Sequence, residues 1–359
     1  MILLNPGPVN VSPRVRQALL RGDICHREED FSKLLRTVRE RLIAAFAGPG
    51  YAAIVLTGSG TAALEAAVAS LLPEGKKLLV VNNGVYGERI AAIARAHRFP
   101  LLELSAPWTE RPDPVRLVDL LRKNREIAAV AMVHHETTTG LINPVRAVGK
   151  LCKEYGKTFL VDSISGLGGE EIHLAEDGID LCVGTANKCI QGLPGVSFVL
   201  VRRERIAEMA VHPARSVYLH LPRYYEEEEK GSIPYTPSVQ ICYALDEALQ
   251  ELLEEGVAQR IARYRRAAAL LREGFKRMGL VPLLPEPLRS NSITALRLPE
   301  GRTYAELHDR LRERGYIIYA GQGNLNREIF RVANMGHLPL SAFEGFLAAL
   351  GELLGKRGV

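Results

Sequence analysis

The 359-residue sequence predicts an α/β protein: a mainly parallel seven-stranded sheet in a large unit, followed by a smaller α+β unit. Three observations lead there. Short β-branched or apolar runs alternate with longer helical patterns through the first two thirds of the chain. Several of those runs are apolar nearly throughout, as strands buried on both faces are. From about Ser238 the alternation gives way to long helical stretches. Strand–helix alternation builds a parallel sheet covered by helices on both faces.

In chain order, strands are expected at 51–57, 78–81, 101–105, 127–134, 158–162, 179–184 and 196–201, with helices between them at 61–72, 88–97 and 144–155. Two long helices then follow at 239–255 and 258–278. The remainder reads as a strand near 292–296, a helix at 304–314, short strands near 316–319 and 329–332, and a closing helix at 340–354. The acidic run 226–229, followed by Lys230, reads as a solvated face or loop. No internal repeat and no low-complexity linker is present.

Composition is that of an ordinary soluble globular protein, with 47% hydrophobic and 24% charged residues. Forty-six basic residues against 41 acidic ones leave a net charge of +5, and the two signs are interspersed. So mild a balance argues against nucleic acid or an anionic membrane as the main partner and leaves small anionic substrates open. No apolar run approaches the ~18 residues of a membrane span. The opening M-I-L-L-N-P-G-P breaks at Pro6 and lacks a basic segment, so it is not expected to be a signal peptide. The cysteines Cys25, Cys152, Cys182, Cys189 and Cys242 are odd in number and show neither a C-x-x-C pair nor zinc spacing. Reduced thiols, a cytoplasmic location and no metal are expected.

Three features fall at the ends of predicted strands, the edge where open parallel sheets bind ligands. The first is T-G-S-G-T, Thr57 to Thr61, between a strand and a helix. Its glycines allow close backbone approach, Ser59 and Thr61 supply hydroxyls, and a helix start supplies free N–H groups, so a phosphate fits. The same stretch matches the dinucleotide pattern G-x-G-x-x-A through Gly58, Gly60 and Ala63, but the next strand ends in V-N-N-G without the carboxylate that reading needs. A tight turn without ligand is the third alternative. The second feature is Asp162, closing the apolar run F-L-V-D, which could cap the following segment or face a cationic group of a cofactor. The third is Lys188 in T-A-N-K-C-I-Q-G, on a turn between two apolar strands. A lysine there is either an ordinary surface residue or a desolvated amine, with its pKa lowered, able to condense with a carbonyl. A phosphate cradle, a carboxylate and an amine on one sheet edge are together what pyridoxal 5′-phosphate requires.

With those residues in view, the sequence resembles the class V aminotransferases of fold type I. The matching stretches run through the chain: N-P-G-P at 5–8, G-S-G-T at 58–61, N-G-V-Y-G at 83–87, H-H-E-T-T-T-G at 134–140, Y-G-K-T-F-L-V-D at 155–162, A-N-K-C-I-Q-G-L-P-G at 186–195 and F-R-V-A-N-M-G at 330–336. The segments around Lys188 and Glu136 resemble the branch acting on aminophosphonates. The resemblance implies a pyridoxal phosphate fold with a large cofactor-binding domain at 15–250 and a small α+β domain made of 1–14 and 251–359.

It also implies roles. Lys188 is the Schiff-base lysine and Asp162 the partner of the pyridine nitrogen. Ser59, Gly60 and Thr61 form the phosphate loop, with Asn187 reaching the phosphate. Tyr86 stacks on the cofactor, and Thr137 lies near its phenolic oxygen. Tyr235 and Thr236 cross from the other subunit of a homodimer. Arg331 grips the substrate's acidic group through its planar fork; the alternatives for Tyr86 and Arg331 are a half-buried tyrosine and a structural ion pair. The segment C-H-R-E-E-D-F at 25–31 lies where family members vary. His134 and His135 invite a metal reading, but neighbours on a strand point to opposite faces, so packed or hydrogen-bonded histidines are expected.

The implied reaction is ping-pong transamination of an aminophosphonate with pyruvate, Lys188 moving the proton. Alternatives are an alanine or serine transaminase acting with glyoxylate or pyruvate, and a non-catalytic cofactor-binding protein. Cysteine desulfuration needs a cysteine in the C-terminal unit, and none follows Cys242.

Overall fold

A computed structural model describes residues 1–356. The chain opens with β1 (Ile2–Leu3), α1 (Pro13–Ala18) and α2 (Glu29–Phe46). It continues through β2 (Tyr51–Thr57), α3 (Gly60–Leu71), β3 (Lys77–Asn82), α4 (Val85–Ala96), β4 (Leu101–Ser105), α5 (Pro114–Lys123) and β5 (Ile127–Val133). A small ribbon of β6 (His135–Glu136) and β7 (Leu141–Ile142) precedes α6 (Val145–Glu154), β8 (Thr158–Asp162), β9 (Leu181–Thr185) and β10 (Val196–Arg202). Then come α7 (Arg203–Ala210), α8 (Leu221–Glu229), α9 (Val239–Glu255), α10 (Val257–Arg277) and β11 (Ile293–Arg297). The last elements are α11 (Tyr304–Glu313), β12 (Tyr316–Ile317), β13 (Tyr319–Ala320), β14 (Ile329–Ala333) and α12 (Leu340–Leu353).

The seven expected strands form one sheet in the order β2-β10-β9-β8-β5-β3-β4. Only β10 runs against the others. Residues Tyr51 to Leu56 of β2 and all of β9 are buried, which requires cover on both faces. The ends of β2, β8 and β9 at Thr57, Asp162 and Thr185 fall on the edge where β10 begins, since Val196 pairs with Thr57 and Ser197 with Thr185. That shared edge gathers the three features read from the sequence.

Helix starts follow local chemistry. Ser12 and Asp113 cap α1 and α5 by accepting the N–H of Val15 and Val115, each ahead of a proline at the first helical position. Ser59 precedes α3 without using its hydroxyl as a cap. Gly58 makes the turn into α3 at φ +148°, where a side chain is strained and a Cβ would lie 2.8 Å from that of Ala62.

A second core gathers Leu271, Phe275, Leu296, Phe330, Phe343 and Phe346 around the antiparallel sheet β11-β14-β13. Leu4 joins this core, and β1 pairs with β12, so the N-terminus belongs with the C-terminal elements.

Short elements such as β1, α1 and α7 were not expected, and two further departures bear on the packing. Helix α2 was not anticipated, although Phe31, Leu34, Leu35, Val38, Leu42 and Phe46 are buried at helical spacing. The charged run before it hides the start, yet Glu29 and Asp30 in the first turn suit a helix N-terminus. The acidic run, expected as a solvated face or loop, is the last turn of α8, with Glu226 and Glu229 exposed but Glu228 turned inward. There Glu228 is buried, accepting the Val55 N–H at 2.9 Å and pairing with Arg39 at 3.3 Å.

Gly149 on α6 lies against the Asp177 carbonyl, and a Cβ there would overlap it. Gly149→Ala is expected to destabilise the protein by about 1–3 kcal/mol, as overpacked sites do, read as a lowered urea midpoint.

Candidate active site

Lys188 lies in the connection between β9 and β10. The loop is tightly braced: Ala186 N–H donates to Val196, Gln191 N–H to the Lys188 carbonyl at 2.9 Å, and Gly192 N–H to Ala186 at 2.8 Å. Farther along, Gln191 donates to the Tyr264 hydroxyl at 2.6 Å and to the Gly336 carbonyl at 2.8 Å, tying the loop to α10 and to the turn after β14. The Lys188 amine donates to the Pro6 carbonyl. The N-P-G-P segment thus lies on the lysine, and a Cβ at Gly7 would come within 2.7 Å of both its Cδ and Nζ. Burial lowers the Lys188 pKa to about 8, with Arg331 and Arg89 adding repulsion that Asp162 partly offsets.

Asp162 ends β8, buried, and accepts the Ile164 N–H at 3.0 Å with one oxygen. It therefore does part of the turn-capping job; its second oxygen has no hydrogen-bond donor among the described residues. Burial raises its pKa to about 6, against the pull of that N–H, Arg89 and Lys188. Arg331, in the middle of β14, is buried and donates to the carbonyls of Ala320 and Thr137, each at 2.8 Å, and to Gln322 at 3.0 Å. Among the described residues it forms no ion pair, so the structural-pair alternative is absent. The Thr137 hydroxyl is fully buried and unpartnered among the described residues.

Ser59 is exposed with its hydroxyl uncommitted to α3, Gly60 is buried, and Thr61 is half-buried. Tyr86, in the first turn of α4, carries the Arg89 guanidinium 4.7 Å from its ring centroid, and Arg89 donates to Thr61 at 3.3 Å. The Asn187 side chain accepts from the Thr185 hydroxyl at 2.9 Å. Lys188, Asp162, Arg331, Thr137, Tyr86 and Thr61 are thus linked by contact or by field. Tyr235 and Thr236 stand apart. The Tyr235 hydroxyl donates to Val217, its ring packs against Tyr218 at 5.0 Å, and Thr236 is exposed. The same segment reaches the phosphate-loop region through the Ser238 N–H, which donates to the Thr57 hydroxyl at 3.0 Å.

Residue-by-residue reading missed Glu136, Arg89 and the Pro6 carbonyl. The buried Glu136 carboxylate accepts the N–H groups of Tyr86 and Thr138 at 3.1 and 3.2 Å and the Thr138 hydroxyl at 2.6 Å, pinning the start of α4. Burial raises its pKa to about 7 against these donors. The signal was the motif itself, with Gly84 leaving space for the carboxylate. His134 pairs with Ser163 at 3.0 Å and His135 with the Ser165 carbonyl at 3.3 Å. Burial lowers their pKa values to about 4 and about 3, so both rings are neutral at pH 7.

A buried amine beside a buried carboxylate at the edge of such a sheet defines a class of enzyme, and comparison names it. The profile of the family described as aminotransferase class-V matches residues 16–332, and the chain belongs to that family. It is an aminotransferase. The 2-aminoethylphosphonate–pyruvate transaminase of Syntrophobacter fumaroxidans is 40% identical over 343 residues, covering 94% of this chain and 92% of the relative. That of Vibrio cholerae is 36% identical over 356 residues, covering 97% and 96%. Among solved structures, an alanine–glyoxylate aminotransferase from Nostoc sp. superposes with a TM-score of 0.93 at 28% identity, over 98% of this chain and 95% of that one.

The depressed Lys188 pKa has a consequence for stability. A folded pKa of about 8 against the ordinary 10.5 disfavours the folded state while the amine is charged in both states. That penalty is relieved as pH rises from 8 to 10.5, because the unfolded chain then holds the extra proton. In the cofactor-free protein, the stability of the wild type relative to Lys188→Met should therefore rise between pH 7 and 10.5, by up to about 3 kcal/mol. Urea unfolding at the two pH values measures it; parallel profiles would contradict the desolvation.

Proposed function

We propose that the chain uses pyridoxal 5′-phosphate to transfer the amino group of 2-aminoethylphosphonate to pyruvate, giving phosphonoacetaldehyde and L-alanine. The observation that carries the reading is the desolvated Lys188 amine, held on the Pro6 carbonyl at the sheet edge where β8 ends in Asp162. The names of the curated relatives support the substrate pair.

The residues present fit this cofactor. The buried, unpartnered Thr137 hydroxyl, the uncommitted Ser59 hydroxyl beside the first N–H groups of α3, and a neutralisable amine are each left open by the chain itself. Lys188 would hold the cofactor covalently and Asp162 its pyridine nitrogen. Ser59, Gly60, Thr61 and Asn187 would hold its phosphate, Tyr86 its ring face, and Thr137 its phenolic oxygen. When bound, the cofactor supplies a carbonyl for the incoming amine and an electron sink for the carbon that bears it.

The chain's own residues do the rest. Lys188, once displaced, would take the proton from the substrate's amine-bearing carbon and deliver it to the carbonyl carbon to which that amine has been joined, and would run the same transfer in reverse when pyruvate takes up the amino group. A base with a pKa near working pH suits that task. Arg331, desolvated and already oriented by Ala320, Thr137 and Gln322, binds the phosphonate and then the carboxylate of pyruvate. Glu136 orients Tyr86 through its backbone N–H.

In this reading residues 15–250 carry the cofactor, while 1–14 and 251–359 supply Arg331. The chain works as a cytoplasmic homodimer in which Tyr235 and Thr236 reach the phosphate held by the partner. The exposure of Thr236 next to the phosphate-loop strand and five free cysteines support these points. No helix among the described residues is long and apolar enough to cross a membrane.

Borohydride reduction followed by digestion should place the added mass on the peptide containing Lys188, and Lys188→Ala should lower turnover by at least about 10²-fold. A donor panel with pyruvate as acceptor should give the highest kcat/KM with 2-aminoethylphosphonate. A preference for serine or alanine with glyoxylate would favour the alternative that the Nostoc sp. likeness suggests. Arg331→Lys should raise the KM for donor and acceptor by about tenfold or more, with a smaller effect on kcat.

A further inference from the structure

Arg89 is an arginine without the partner its position demands. It sits half-buried on α4, yet no carboxylate pairs with it among the described residues, and its one hydrogen bond goes to the Thr61 hydroxyl at 3.3 Å. A guanidinium has five N–H donors, so most of its capacity is unspent. Arg39, Arg41, Arg146 and Arg260 are paired with Glu228, Asp246, Asp177 and Glu255, and Arg331 and Arg272, which have no ion pair among the described residues, each have backbone carbonyls instead; Arg89 has neither. Arg89 also lies against the start of α3, through Thr61, and a helix N-terminus carries partial positive charge that repels a cation. Among the described residues no carboxylate pairs with Arg89 beside that helix start. The Tyr86 ring, 4.7 Å beneath the guanidinium, holds the cation in place by cation–π attraction.

We propose that Arg89 is the fixed cation of the phosphate cradle, pairing with the phosphate ester of the cofactor together with the Ser59–Thr61 loop. The inference rests on the cofactor assignment above. The fork of a guanidinium matches two oxygens of a phosphate, and Thr61 sets its angle. Its charge also acts beyond the phosphate, favouring the ionised Asp162 and the neutral Lys188.

The test uses the full-length chain freed of cofactor, comparing wild type, Arg89→Gln and Arg89→Lys. Dissociation constants are measured by absorbance titration for pyridoxal 5′-phosphate and for pyridoxal, which lacks the phosphate, and by competition for inorganic phosphate. Arg89→Gln should weaken pyridoxal 5′-phosphate and inorganic phosphate by about 10- to 100-fold while leaving pyridoxal within about twofold. Arg89→Lys, which keeps the charge without the fork, should lose less and stands in if Arg89→Gln does not fold. Equal losses for pyridoxal and its phosphate would show a merely structural role and overturn the proposal. So would unchanged affinities in a wild type that binds both aldehydes. A wild type that binds neither overturns the cofactor reading itself, and this one with it.

Discussion

The architecture turns on a single constraint, the removal of water from the amine of Lys188. Keeping an ammonium out of solvent is costly, and the chain does not offset it with a bonded carboxylate. It places a backbone carbonyl from Pro6 against the amine and leaves no room at Gly7 for anything larger than hydrogen. Burial is the main influence that lowers the amine's pKa; the fields of Arg331 and Arg89 act in the same direction, against those of Cys189 and Asp162. The result is an amine that gives up its proton near neutrality. A buried lysine with a direct ion pair would be better satisfied and chemically inert.

The two halves of the site come from different cores. Lys188, Asp162 and the phosphate loop hang from the large sheet, whereas Arg331 stands on β14 of the small one. An apolar cluster of Cys189, Tyr264, Ile293, Ala333 and Met335 joins them, and Arg331 adds a polar contact to the Thr137 carbonyl across 194 residues of sequence. Gln191 and Tyr264 make a parallel connection between the lysine loop and the turn after β14. These bonds tie the strand that carries the arginine to the loop that carries the lysine.

Much of this was readable in advance because it lies in periodicity and in residues at strand ends. The seven runs became the sheet, and Lys188 and Asp162 fell where apolar runs stop. What stayed hidden depends on distant geometry. Glu136 looks like any acidic residue in a polar stretch; its role comes from facing the start of α4, 50 residues earlier in the chain. Arg89 reads as an ordinary helical cation until one sees that no carboxylate pairs with it among the described residues. The Pro6 carbonyl carries no side-chain signal at all. Glu228 misled in the opposite sense, since four consecutive glutamates imply water, while one of them is buried by Arg39 and the Val55 N–H.

The reversed direction of β10 has one more implication. A parallel neighbour would have needed a long helical crossover, and its slack would absorb changes in length. Here the lysine rides on residues 186–195, a connection braced by its own backbone bonds and anchored where Thr185 lies opposite Ser197 and Thr57 opposite Val196. Adding or deleting one residue inside it would either swing the amine off target or force one strand to slip, turning each of its side chains to the wrong face. Evolution can remodel the outer loops of such a protein freely, but this hairpin must keep its length.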